Sequence, residues 1–232
     1  MNTTQFHSVI FDFDSTLSTL EGVDYLAELH DCAEEVAALT AKAMNTYSIT
    51  PDLYEKRLKL IHPRREDLAT LAHAYKEHLV PGVEETVRIL QDSGKTLYIV
   101  SGGIRKAIIP VGDYLGISPE RIHAVDVFFT MEGEYSGFDR DSVLVRPDGK
   151  KKIIQYLAPE QPAVFIGDGA NDLSARDPVY RFIGFGGAEY RPPIEEASEF
   201  YIKDKDFRAT LPLILTQEEM DTAEFSDQFS SS

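Results

Sequence analysis

Hydrophobic and polar positions change their rhythm twice along the chain. An apolar run over residues 8–11, Ser-Val-Ile-Phe, breaks off in Asp12-Phe13-Asp14-Ser15-Thr16-Leu17. Such a run reads as a strand of a parallel sheet, buried on both faces. From about 19 to 80 strand-like runs give way to helical spacing. Val23, Leu26 and Ala27 share a face within 21–30. Asp31-Cys32-Ala33-Glu34 has capping-box spacing and opens a helix to about Met44. Thr50-Pro51 offers an N-cap and a proline at the first helical position, ahead of Tyr54, Arg57, Leu58 and Ile61. After Pro63, Leu68, Leu71, Ala72, Tyr75 and Leu79 again recur at helical spacing. Four helices without a strand exceed a single βαβ crossover, so a separate helical cap is predicted directly after the first strand.

Pro81-Gly82 marks the return to the core. A helix is predicted over 83–91, stopping near Gly94. A second buried strand, 96–100, runs into Ser101-Gly102-Gly103, and a helix containing Pro110 follows. Residues 125–139 suggest a β-hairpin. Gly149-Lys150-Lys151-Lys152 leads into a helix, and a third buried strand, 163–166, ends in Gly167-Asp168-Gly169-Ala170-Asn171-Asp172. Further strands are expected at 182–185 and 200–202. From Gln217 the polar, acidic chain reads as a frayed tail. The division is therefore core 1–18, helical cap 19–80, core 81–216 and tail 217–232, in an α/β fold with a mainly parallel sheet.

Composition narrows the function. A net charge of −16 over 232 residues argues against general nucleic-acid or anionic-membrane binding, so an anionic substrate would require a locally basic pocket. Cys32 is the only cysteine, which rules out an intrachain disulfide and argues against a Cys-based zinc site. It reads as a small buried helix residue. Neither a signal-peptide pattern nor a run of membrane-spanning length is evident, and a cytoplasmic location is the default expectation.

The chemistry gathers at strand ends. In a parallel sheet, Asp12 with Asp14, Ser101 with Gly102, and Asp168 with Asp172 would converge on one crevice. Adjacent acids repel and are costly to desolvate, so they persist most readily around a cation. Four carboxylates without Cys or His form a hard oxygen site suited to Mg²⁺ rather than zinc. Ser101 and Gly102 offer a hydroxyl and a backbone N–H at a strand-to-helix turn, a phosphate cradle. Lys150 could add positive charge, although taken alone a triple lysine at a helix start reads rather as a solvated face.

Together, Asp-Phe-Asp-Ser-Thr at 12–16, Ser-Gly-Gly at 101–103, Lys150 and Gly-Asp-Gly-Ala-Asn-Asp at 167–172 resemble the four motifs of the haloacid-dehalogenase (HAD) superfamily. Glu21-Gly22, Met44, Arg57, Pro81-Gly82, Gly133-Glu134-Tyr135 to Asp139, 182–187 and Arg191 are similar to its phosphoserine phosphatase branch. The resemblance implies a three-layer Rossmann-like core with an inserted helical cap of the C1 type. It implies hydrolysis of O-phosphoserine through an aspartyl-phosphate, as in serine biosynthesis. Asp12 would be the nucleophile and Asp14 the acid and base. Mg²⁺ would be held by Asp12, the carbonyl of Asp14, Asp168 and, in support, Asp172. Ser101, Gly102, Gly103 and Lys150 would receive the phosphate, and Asn171 would orient the phosphate or Lys150; Glu21, Met44, Asn45 and Arg57 would read the rest of a small phosphate ester. Two departures stand out. Thr50 occupies a position where the branch usually has phenylalanine, either reshaping the pocket or capping a helix, and Asn45 replaces the glycine of some relatives. Another phosphorylated metabolite, an alcohol in place of water as acceptor, or a receiver-like phospho-binding domain are the alternative readings.

Overall fold

A computed structural model describes residues 2–44 and 50–222, with 41–44 in backbone only. The strand β1 (Ser8–Phe11) is fully buried. It pairs in parallel with β2 (Thr96–Ile104) on one side and β6 (Ala163–Gly167) on the other. With β3 (Ile122–Val125), β7 (Arg181–Phe185) and β8 (Phe200–Ile202) they form one parallel sheet, ordered β3-β2-β1-β6-β7-β8. The order reverses at β1, so a crevice opens beyond its carboxyl end, where such sheets bind ligands. Helices α5 (Val83–Asp92), α6 (Arg105–Tyr114), α7 (Gly149–Leu157), α8 (Ala170–Ser174) and α9 (Pro192–Ala197) join the later strands. The expected α/β fold with a mainly parallel sheet is thus present.

Between β1 and α5 come α1 (Gly22–Leu29), α2 (Ala33–Met44), α3 (Pro51–Ile61) and α4 (Asp67–Glu77). Thr50 caps α3, its hydroxyl accepting from the Leu53 N–H at 3.2 Å, and is exposed. The capping box expected at Asp31 does not form there. Asp31 takes a left-handed φ of 54° and the first turn of α2 hangs from the Cys32 carbonyl. Cys32 is only half-buried.

The hairpin β4 (Val127–Phe129) and β5 (Tyr135–Phe138) forms a separate two-stranded sheet against the helical insertion. The Arg65 N–H donates to the Gly133 carbonyl at 2.9 Å, and the Tyr54 and Phe138 rings lie 5.0 Å apart. The edge strand β3 is not evident in the sequence pattern, because Arg121 and His123 interrupt its short apolar run.

The tail does not begin at Gln217. Residues Gln217–Thr222 form a helix, following α10 (Leu211–Ile214), and Glu219 pairs with the buried Lys95 at 2.5 Å. Thr216 and Glu219 exchange backbone and side-chain bonds at 3.3 and 2.9 Å, a capping box written in the sequence as Thr-x-x-Glu. Residues 223–232 lie outside the described residues. No helix among the described residues is long and apolar enough to cross a membrane.

Candidate active site

The β1 strand ends at Phe11, but the Asp12 N–H still donates to the Ile166 carbonyl at 2.9 Å. That bond extends the pairing with β6 and fixes Asp12 beside Asp168. Beyond Asp14 the chain reverses through Ser15 in a left-handed conformation (φ 54°), while the N–H groups of Leu17 and Ser18 both bond the Phe13 carbonyl. Asp14 is thereby left beneath the helical insertion.

Lys150 is buried, whereas Lys151 and Lys152 pair with Asp177 and Asp148 at the surface. The solvated-face reading of the triple lysine therefore fails for its first member. Its Nζ stands 2.7 Å from Asp12 Oδ1 and 2.5 Å from Asp172 Oδ1. The two carboxylates offset the cost of a cation in the first turn of α7. Asp172 also accepts the Gly169 N–H at 2.9 Å. Asp172 packs so close to Gly167 that a Cβ there would lie 2.3 Å from its carboxyl carbon. Asp168 accepts from Thr16 Oγ1 at 3.2 Å and from Arg191 Nε at 2.9 Å.

Carboxylate oxygens of Asp12, Asp168 and Asp172, all buried, lie within 4.8 Å of one another. The Asp14 side chain is not among them. Oxygen donors without sulfur or imidazole fit a hard divalent cation. Charge agrees: among the described residues Asp12, Asp14, Glu21, Asp168 and Asp172 face only Lys150 and Arg191 in direct ion pairs. Asp12 Oδ1 is moreover a buried oxygen without a well-directed hydrogen bond. Burial, reinforced by the Asp172 charge, pushes Asp168 up to about 7, and burial with the Asp12 charge does the same to Asp172. Burial also lifts Glu21 to about 7 and Asp14 to about 6.

A prediction follows for the metal-free protein. Carboxyls with raised folded pKa values hold protons that the unfolded chain has lost, so their contribution to stability is full below about pH 4 and is lost as pH rises through about 7. A divalent cation should restore it. After chelation, adding Mg²⁺ should raise the melting temperature by roughly 5 °C at pH 8, at about 2–4 °C per kcal/mol for this size, and by much less at pH 5. A melting temperature indifferent to the cation at both pH values would rule out the cluster as a metal site.

Ser101 is buried, and its hydroxyl approaches Asp14 Oδ2 at 3.5 Å. It does not sit at a helix start: β2 continues with a register shift to Ile104, and α6 begins at Arg105. The Gly103 N–H, expected to meet the substrate, is already given to Ser101 Oγ at 3.0 Å. Gly103 serves space instead, since a Cβ there would lie 2.5 Å from Asp14 Oδ2. Gly102 is half-buried, and a Cβ there would meet the Leu144 carbonyl oxygen at an ordinary 3.8 Å. Asn171 lies in α8, half-buried. The orienting contact to Lys150 suggested for it is not formed, because Lys150 is held by Asp12 and Asp172.

Glu21 accepts from Ser15 Oγ at 2.7 Å and lies 3.7 Å from Arg191. Arg57 donates to Asp24 at 2.9 Å and keeps a buried Nε without a partner among the described residues. Of Met44 only the backbone is described, and Asn45 lies outside the described residues. Three functional-looking residues went unread in the sequence as site groups: Arg191 on Asp168, Tyr75 on Asp14, and Tyr54. The buried Tyr54 hydroxyl has no partner among the described residues and feels the Arg57 and Asp14 charges. On helices these tyrosines share the spacing of ordinary core residues, so no periodic signal separates them.

A parallel sheet whose strand order reverses at a pair of aspartates, faced by a buried lysine and two more aspartates, defines a class. Residues 6–176 match the haloacid dehalogenase-like hydrolase family, and the chain belongs to it. Its relatives include the phosphoserine phosphatase of Bos taurus, 35% identical over 85% of this chain and 89% of that protein. That of Methanocaldococcus jannaschii is 28% identical over 89% and 96%. Among solved structures, a phospho-aspartyl intermediate analogue of phosphoserine phosphatase superposes with a TM-score of 0.77 at 26% identity, covering 91% of this chain and all of that one.

Proposed function

We propose that the chain is a Mg²⁺-dependent phosphomonoesterase that hydrolyses O-phosphoserine to serine and phosphate through an aspartyl-phosphate on Asp12. The observation that carries this is the contrast between its two first-motif acids. Asp12 is paired with a buried lysine, and Asp14, one residue removed, is held by neutral donors. Burial raises both acids, but Lys150 opposes the rise at Asp12 and favours the carboxylate a nucleophile needs, while Asp14 sits near 6, able to hold a proton, which separates the roles the reaction requires. The names of the relatives supply the substrate class.

The metal ion would be held by Asp12, Asp168, Asp172 and the Asp14 carbonyl, and when bound it would neutralise charge on the phosphoryl oxygens. Asp12 attacks phosphorus while Lys150 and Ser101 receive non-bridging oxygens. Asp14 gives its proton to the departing serine oxygen and later takes one from water. Arg57, with Nε unspent, pairs with the substrate carboxylate, and Glu21 faces its ammonium. Thr50 caps a helix, and the substrate pocket is left to other residues of the insertion.

The test is kcat/KM for O-phosphoserine and for phosphoethanolamine, which lacks the carboxylate. The wild type should prefer O-phosphoserine, and Arg57→Ala should cost that substrate roughly 2–5 kcal/mol by leaving its carboxylate unpaired. Phosphoethanolamine should change far less, and Arg57→Lys should rescue only in part. A wild type indifferent to the carboxylate sinks O-phosphoserine as substrate. Equal losses on both esters would make Arg57 structural.

A further inference from the structure

The helical insertion reaches into the chemistry as well as covering it. Tyr75, on α4, is completely buried, with its ring edge-on to Phe13 at 4.8 Å between centroids. Phe13 is the residue between the two first-motif aspartates, so the contact fixes Tyr75 relative to both. The Tyr75 hydroxyl donates to Asp14 Oδ1 at 2.5 Å, and the Gly22 N–H donates to the same oxygen at 2.9 Å. Asp14 Oδ2 is left with the Ser101 hydroxyl at 3.5 Å, the outer limit of a hydrogen bond. Gly22 is part of the arrangement. A Cβ at that position would stand 1.9 Å from the Tyr75 hydroxyl oxygen, so only glycine lets the hydroxyl come in.

We propose that Tyr75 is a positioning residue that holds Asp14 by Oδ1 and so makes Oδ2 the oxygen that delivers the proton. The inference rests on the phosphatase reading above. Oδ1 already accepts from a backbone N–H, which cannot reverse its role, so the transferable proton belongs on Oδ2. In the first step the Asp12 carboxylate bonds phosphorus and the ester P–O bond breaks. Its electron pair goes to the leaving oxygen, which takes the Oδ2 proton. In the second step water gives a proton to Oδ2 as its oxygen bonds phosphorus, and the Asp12–phosphorus bond breaks. Without the tyrosine hydroxyl only the Gly22 N–H still holds Oδ1, the carboxyl group turns more easily about χ2, and Oδ2 loses its aim.

This separates substrates by leaving group. An alkyl ester such as O-phosphoserine releases a strongly basic alkoxide that must be protonated as it departs, whereas 4-nitrophenolate leaves without a proton. The readout is kcat/KM, which covers the steps up to departure of the leaving group. For Tyr75→Phe it should fall about 10²-fold on O-phosphoserine, the scale of a misplaced catalytic group, and no more than about threefold on 4-nitrophenyl phosphate. Gly22→Ala, which keeps the tyrosine but displaces its hydroxyl, should show the same split, with melting curves reporting the fold of both variants. Equal losses on the two esters in both variants, or no loss on either, would overturn the role of Tyr75 and leave the phosphatase standing. A wild type that hydrolyses neither ester would remove the phosphatase reading and the role of Tyr75 with it. If the wild type accepts a different alkyl phosphate, the comparison is made on that ester, and the same split is expected.

Discussion

Asp12→Asn is expected to lower turnover by at least three orders of magnitude, about 4 kcal/mol or more of transition-state stabilisation, in a protein that remains folded. Asparagine fills nearly the same volume but carries no charge, cannot form the acyl phosphate, and withdraws one carboxylate from the cluster with Asp168 and Asp172. Its effect on stability should be opposite in sign. Asp12 is a buried acid whose pKa burial raises, with Lys150 opposing the shift. At pH 8 its removal relieves repulsion from Asp168, and Lys150 keeps Asp172 as a partner. The melting temperature without metal should therefore hold or rise while activity collapses. Acid-quenched wild type should retain phosphate from labelled substrate, and the variant should not. More than a tenth of wild-type turnover in the purified variant would end the assignment of Asp12.

How legible the molecule was depended on whether a residue's role left a periodic or local mark. The strands β1, β2 and β6 are short apolar runs bounded by glycine, proline and charge, and both their place and their functional ends could be read. The Thr50-Pro51 cap was equally local. Lys150 was not decidable by itself, since Lys151 and Lys152 look the same in sequence; helical rotation and two carboxylates buried one of the three. Long-range contacts left no mark. Nothing near Tyr75 announces that it meets Asp14 sixty-one residues earlier, or near Arg191 that it bonds Asp168. The hairpin was foreseen, but not its docking on the helical insertion through Arg65 and Tyr54. The Thr216–Glu219 box was visible in the sequence, yet the acidic composition around it outweighed the local signal.

Lys150→Met should reduce turnover by a similar order and also destabilise the protein in a pH-dependent way. Methionine fills the lysine channel without charge, so the variant leaves Asp12 and Asp172 buried without their cation; breaking a buried pair from one side costs roughly 3–5 kcal/mol. The cost falls on whichever carboxylates are ionised. Lys150 itself, its pKa raised by those two acids against the opposing effect of burial, stays charged throughout the range of interest and adds no pH dependence below its unfolded value near 10. The dependence comes from the acids. With the lysine gone their pKa values rise further, because burial then acts unopposed, and the folded variant takes up protons as pH falls. The stability gap between wild type and variant should therefore be small near pH 4, widen through pH 7 and still be widening at pH 8, read from denaturant midpoints without metal. Mg²⁺ should narrow the gap at pH 8 by replacing some of the lost positive charge, without restoring turnover, since Asp12 would still lack the cation that favours its ionised form and lines the path of the phosphoryl oxygens. A gap of constant size across pH 4–8 would mean that the lysine contributes packing alone, and recovery of activity by metal would mean that its charge is dispensable to the reaction.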